Sequence, residues 1–290
     1  MKYQYTTQKA IYEPTGVSLY DGNPLIEALH PMESEKINVV HRIAHTPPPF
    51  SRLFRKKGEM QRLAELALLD FLIYPFAEYK SIGEKLTTMI REPYITRNPL
   101  LPAGRQHDYF LHTLGINASE LKSFQHKSRA IIVSAVTGSG KTTFASRFLA
   151  PYLRVIEHSA YKGSPFKRRQ VPVICLSTPH DGTLKSLCLQ FFRTVDEILE
   201  NTHYVKLARA VSSIAGMAEL IHEVSSTISL AMIFVDDLQH LRAATGKNAD
   251  IVLNFFSQLV EVAGVSLFVC GTPALVPVLK KSVANTRKLG

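Results

Sequence analysis

Apolar positions fall into different regimes along the chain. Residues 1–50 have weak periodicity broken by Pro14, Gly16, Gly22, Pro24, Pro31 and Pro47-Pro48-Pro49, which predicts an extended arm with short ordered pieces. Residues 59–91 place Leu63, Leu66, Ala67, Phe71, Leu72, Ile82, Leu86 and Ile90 at helical spacing, and Pro75 should kink or break that segment. Residues 92–128, with Pro93, Pro99, Pro102 and Gly104, read as loop-rich.

From residue 129 short apolar runs alternate with longer amphipathic ones. Ala130–Val136, Val171–Leu176, Met232–Val235 and Val265–Cys270 read as buried strands. Thr142–Leu149, Leu184–Leu199, Val205–Val224, Ile251–Val262 and Pro273–Ser282 read as helices, the last opened by proline near its first turn. Such alternation predicts an α/β fold with a parallel sheet covered on both faces. The expected division is an arm and helical extension over 1–128 followed by a core over 129–290, without internal repeats.

Composition sharpens this only in places. Hydrophobic residues make up 46% of the 290, enough for a sizeable core. Formal net charge is +10 with a pI near 9.5, a balance that suits nucleic acid or another anionic surface. Cys175, Cys188 and Cys270 show no metal-binding spacing, and Cys175 and Cys270 lie in apolar runs. A reduced, cytosolic protein is therefore expected. The start lacks an apolar signal region and the longest apolar runs are too short to span a bilayer, so no membrane partner is expected.

The clearest chemistry is Ala135-Val136-Thr137-Gly138-Ser139-Gly140-Lys141-Thr142, followed by Thr143, between a predicted strand and a predicted helix. That is the P-loop, or Walker A, pattern in the context it requires. Gly138 and Gly140 allow the tight backbone turn that points N–H groups at phosphate oxygens, and the helix N-terminus adds its positive dipole. Lys141 should reach the β- and γ-phosphates of ATP, and the Thr142 hydroxyl should ligate Mg2+. Ala135 stands where the strict pattern has glycine, so the turn must accept a Cβ.

The Walker B partner is Met232-Ile233-Phe234-Val235-Asp236-Asp237. Asp236, ending a buried strand, can face Mg2+ directly or through water. Asp237 is placed to orient the attacking water, but it is one methylene shorter than glutamate, so hydrolysis is expected to be slow or to need a partner that closes the site. After the next strand comes Gly271-Thr272-Pro273. Thr272 would lie near the γ-phosphate if that strand neighbours the magnesium strand, and it is equally suited to cap the helix that follows.

Several further stretches carry a family resemblance. They are Thr15-Gly16-Val17, Asn23–Leu29, Ile90-Arg91-Glu92-Pro93-Tyr94-Ile95-Thr96-Arg97-Asn98-Pro99, His180–Lys185, Asp237–Leu241, Leu253–Phe256 and Gly271-Thr272-Pro273. Together with the P-loop they resemble the AAA+ transposition regulators of the TnsC/TniB family over nearly the whole chain. The family usually has glutamate at the position of Asp237, and larger members carry a long tail beyond the point where this chain ends at Gly290. A short or missing C-terminal lid is therefore expected.

The resemblance implies a bacterial, cytoplasmic ATPase that forms a ring or helical filament on double-stranded DNA. It implies transposase subunits and a target selector of the TniQ/TnsD type as partners. Thr183 and Lys185, opening the helix after the second core strand, are the implied DNA-backbone contacts, although Lys185 also suits a solvated helix face. Lys167, Arg168 and Arg169 form a further candidate patch, although such a run also suits a plain surface loop. Arg287 is the implied arginine supplied to a neighbour's γ-phosphate, unless it is only a tail residue. Tyr94 and Arg97 are the implied holders of base and ribose, or simply packing residues. Two other readings stay open: a nucleotide-dependent DNA scaffold with little hydrolysis, and a helicase-loader-like ATPase, against which the Asn23–Leu29 and Tyr94–Pro99 stretches argue.

Overall fold

The computed structural model describes residues 3–32, 39–46, 52–106, 109, 128–241 and 249–275. The core is a four-stranded, all-parallel sheet made of β2 (Ala130–Ser134), β5 (Val173–Ser177), β6 (Met232–Asp236) and β7 (Ser266–Gly271). The spatial order is β2-β7-β6-β5, so the last strand in sequence inserts between the first and third. The pairings Ser134↔Gly271, Val235↔Val269 and Ser177↔Asp236 set the C-terminal ends of all four strands along one rim. Each strand is a short apolar run because both faces are covered.

One face carries α6 (Leu184–Leu199), α8 (Ile214–Thr227) and α9 (Ala249–Glu261). Phe191, Phe192, Ile221, Phe255 and Phe256 from these helices pack with Ile174, Ile233, Val235 and Leu267 of the sheet. The predicted helix over Val205–Val224 is two helices, α7 (His203–Ala210) and α8. The break comes at Val211–Ser213, where the Ser213 hydroxyl accepts the Gly216 N–H at 3.0 Å and starts α8 afresh.

The other face is covered largely by the first third of the chain. Helix α5 (Lys141–Leu149) contributes Phe144 and Phe148. Around them pack Leu25 and Ile26 of α1 (Pro24–Glu27), Ile43 of α2 (Val39–Ile43), and Leu86, Ile90 and Tyr94 of α4 (Glu78–Thr96), together with Phe234 and Phe268 of the sheet. Burying one such ring stabilises the fold by roughly 1.5–3 kcal/mol. The arm is thus partly built into the core. Asn23 caps α1 through the Leu25 N–H at 3.1 Å and donates to the Tyr94 carbonyl at 2.7 Å.

Residues 59–91 do break at Pro75, into α3 (Glu59–Glu65), a 3-10 turn over Leu66–Phe71, and α4. Only α4 uses its periodic apolar residues for the core; Leu63, Leu66, Phe71 and Leu72 are exposed. The loop expected from residue 92 begins only after Thr96, because α4 runs through Pro93. Proline cannot donate to the carbonyl four residues back. The buried Ser266 hydroxyl supplies the missing donor, reaching the Met89 carbonyl at 2.9 Å.

A second sheet, which the hydrophobic pattern does not predict, joins β1 (Thr6–Lys9), β3 (Arg154–Tyr161) and β4 (Ser164–Gln170) in the order β1-β3-β4. Strands β3 and β4 form a hairpin whose two turn residues, Lys162 and Gly163, have φ of 47° and 81°. Positive φ at both centres matches the twist of the flanking strands. Lys167, Arg168 and Arg169 therefore lie on a strand, with Arg169 3.3 Å from Glu157. All three cysteines are free and buried. Among the described residues no helix is long and apolar enough to cross a membrane.

Candidate functional site

Strand β2 ends at Ser134 and α5 opens at Lys141, so the intervening turn is the predicted loop. Gly138 and Gly140 adopt φ of 82° and 81°, the left-handed region that side chains disfavour. Ala135 keeps an ordinary backbone conformation, so its Cβ adds no strain. Thr137 is exposed, and Ser139, Thr142 and Thr143 are half-buried at the mouth of the helix. Lys141 folds back over the loop, its Nζ donating to the carbonyls of Ala135 at 2.7 Å and Val136 at 2.8 Å. Ser139 Oγ lies 3.4 Å from the same nitrogen. An ammonium held on neutral carbonyls is ready to exchange them for phosphate oxygens, which attract it more strongly.

Asp236 faces this loop across the rim. Its Oδ2 accepts the Thr142 hydroxyl at 2.8 Å and its Oδ1 accepts the Asp237 N–H at 2.9 Å. Burial pushes the Asp236 carboxyl above the usual range, while the Thr142 hydroxyl works in the opposite direction. A nearby cation would act in the same direction as that hydroxyl, favouring the charged form. The donor set also fits magnesium, which keeps most of its waters and takes one or two protein oxygens plus phosphate.

Asp237 is exposed and sits at φ 56°, a left-handed conformation that aspartate tolerates better than most residues. Its Oδ1 accepts from Gln239 Nε2 at 2.9 Å. Thr272 follows β7, which lies between β2 and β6, so the neighbour relation required of it holds. Its N–H donates to Gln239 Oε1 at 3.2 Å, and its carbonyl accepts the Leu275 N–H at 3.1 Å to start a 3-10 turn over Pro273–Leu275. The remainder of the predicted terminal helix, the lid region and Arg287 lie outside the described residues.

The fold therefore brings Ala135–Thr143, Asp236, Asp237 and Thr272 to one rim. Thr183 and Lys185 are exposed at the start of α6, which follows β5 at that same rim. The Thr183 hydroxyl caps the helix, accepting the Ser186 N–H and donating to Asp181, both at 3.2 Å.

Tyr94 and Arg97 need correction as holders of base and ribose. The buried Tyr94 hydroxyl donates to the Ser229 carbonyl at 2.6 Å, and Arg97 Nη2 donates to the Leu230 carbonyl at 2.7 Å. Both carbonyls precede β6, whose opposite end carries Asp236, so these side chains clamp the far rim of the sheet. Burial raises the Tyr94 hydroxyl to about 12, which keeps it a neutral donor.

Tyr79, missed in the sequence, does reach the loop. Its hydroxyl lies 3.3 Å from the Gly140 carbonyl, and its ring centroid is 4.7 Å from that of Phe144. A Cβ at Gly140 would come within 2.6 Å of the Tyr79 hydroxyl. Tyr79 thus braces the outside of the turn. Nothing near it in sequence signals this, because the contact spans 61 residues.

A search of curated proteins returned no match. A family profile described as an AAA domain matches residues 125–279, more than half of the chain. That match runs from just before β2 to just beyond β7 and so takes in both sides of the rim; the chain belongs to this AAA domain family, whose fold is that of P-loop ATPases.

Proposed function

We propose that the protein is an ATP- and Mg2+-dependent ATPase of bacterial cytoplasm that assembles on duplex DNA and links a target selector to a transposase. The contact that carries the ATPase reading is Thr142 to Asp236 at 2.8 Å, which joins loop and carboxylate into one phosphate and metal site. Lys141 binds the β- and γ-phosphates, and Thr142 and Asp236 hold the magnesium ion, which supplies charge neutralisation when bound. Asp237 orients the attacking water and accepts its proton as oxygen adds to the γ-phosphorus and the bond to the β–γ bridging oxygen breaks, giving ADP and phosphate. Thr272 completes the site from the strand between them. Arg287 of a neighbouring copy is the proposed source of the positive charge that completes it in the homo-oligomer.

The DNA part of the proposal is supported by the net charge of +10, by the exposed Thr183 and Lys185, and by the resemblance to TnsC/TniB regulators. Backbone contacts of this kind are independent of sequence and sensitive to salt. A second reading, a scaffold with little hydrolysis, is favoured by the short Asp237 side chain. Phosphate release with and without duplex DNA separates the two: stimulated turnover supports the ATPase, and a rate no higher than that of Lys141→Ala supports the scaffold.

Duplex binding measured by anisotropy over a salt series should show a log–log slope of about −0.9 per phosphate neutralised, with little change between unrelated sequences. Lys185→Ala should make the slope shallower by roughly one unit per bound subunit. A flat salt response would remove DNA from the proposal.

A further inference from the structure

The turn after β6 carries an amide side chain that links two strand ends. Gln239 lies in a 3-10 turn over Leu238–His240, and the packing of that turn comes from its apolar neighbours: Leu238 is 3% exposed and Leu241 0%. Gln239 instead joins two parts of the site. Its Nε2 donates to Asp237 Oδ1 at 2.9 Å, and its Oε1 accepts the Thr272 N–H at 3.2 Å. The amide has one workable orientation here, because a backbone N–H only donates and a carboxylate only accepts. The slot is also close-fitting. A Cβ at Gly271 would stand 3.3 Å from Gln239 Oε1 and 2.3 Å from Leu275 Cδ1.

We infer that Gln239 is a positioning residue that aims Asp237 and ties that aim to the end of β7. The inference rests on the ATPase reading above. Asp237 stands in an exposed left-handed turn, where its carboxylate would otherwise sample several rotamers. Gln239 restrains it through one hydrogen bond, and the other end of the same amide is fixed to the backbone beside Thr272. A shift at the end of β7 when a γ-phosphate arrives is thereby transmitted to the group that orients the water. Hydrolysis and phosphate sensing then share a single side chain.

Two variants of nearly constant length test this. Gln239→Glu keeps an acceptor for the Thr272 N–H but sets an oxygen against Asp237. Gln239→Met keeps the packing and removes both bonds. In each, kcat should fall about 10-fold or more, part of the 10²–10⁴-fold typical of a positioned acid or base. KM for ATP and the affinity for an ATP analogue should stay within about two-fold. Wild-type kcat in both variants overturns the inference. So does a kcat loss matched by loss of nucleotide affinity, which marks a structural role.

A second readout is free of turnover. Amide hydrogen exchange at Thr272 should differ between a non-hydrolysable ATP analogue and ADP in the wild type, and that difference should vanish in Gln239→Met. Equal exchange with both nucleotides in the wild type also overturns the inference. If wild-type phosphate release does not exceed that of Lys141→Ala, the ATPase reading falls, and the exchange experiment still decides whether Gln239 couples β7 to Asp237.

Discussion

Lys141→Ala should remove measurable ATP binding. In the free loop Lys141 Nζ already spans the mouth, donating to the carbonyls of Ala135 and Val136 at 2.7 and 2.8 Å. Those bonds keep the ammonium where the glycine turn points its N–H groups. Phosphate replaces neutral oxygens with charged ones, and hydrogen bonds to charged groups contribute about 1.5–3 kcal/mol each. Losing two such bonds weakens binding by roughly 10²- to 10⁴-fold. The half-buried side chain takes no part in either hydrophobic cluster, so the variant should fold normally. Titration with a fluorescent ATP analogue measures the loss, and wild-type affinity in Lys141→Ala would refute the phosphate-loop assignment. In the same titration Thr142→Ala should weaken binding more with magnesium than in chelator, because its hydroxyl serves the metal.

What could be read from the chain follows how local each determinant is. The P-loop and the strand ending in Asp236 are contiguous motifs, and their meeting follows from strand alternation. Leu184–Leu199 was legible to its ends because it is one long amphipathic period. The hairpin over Arg154–Gln170 was not, because its turn is Lys162-Gly163 and lacks the asparagine or aspartate that usually marks such turns. The run through Pro93 was missed for a different reason. The hydroxyl that takes the place of the lost N–H comes from Ser266, 177 residues away.

The same distinction governs the site. Tyr94 and Arg97 fell in a motif-like stretch, and sequence alone could not say which rim of the sheet they face. Their bonds to Ser229 and Leu230 place them at the end opposite Asp236. Tyr79 and Gln239 act through contacts with residues on other elements, Gly140 in the first case and Thr272 in the second. Tyr79 lay outside every motif. Gln239 lay inside one, two residues after Asp237, yet its partner beyond β7 is 33 residues away.

Asp237→Asn should retain ATP and slow its cleavage by about 10²- to 10⁴-fold, the range for loss of a positioned acid or base. The replacement is nearly isosteric. An asparagine oxygen can still accept from Gln239 Nε2, and Asp236 still accepts the Thr142 hydroxyl, so loop, metal ligands and turn keep their arrangement. What disappears is the charge that draws a proton from water. Asparagine also tolerates the left-handed backbone at this position, so stability should change little. Single-turnover phosphate release checks the rate and analogue titration checks that binding survives. If ATP hydrolysis is what ends the assembly on DNA, complexes of Asp237→Asn with duplex and ATP should outlast those of the wild type in a dilution experiment. Unchanged cleavage would show that another residue orients the water. Slowed cleavage with unchanged complex lifetime would keep Asp237 in its role and separate turnover from disassembly.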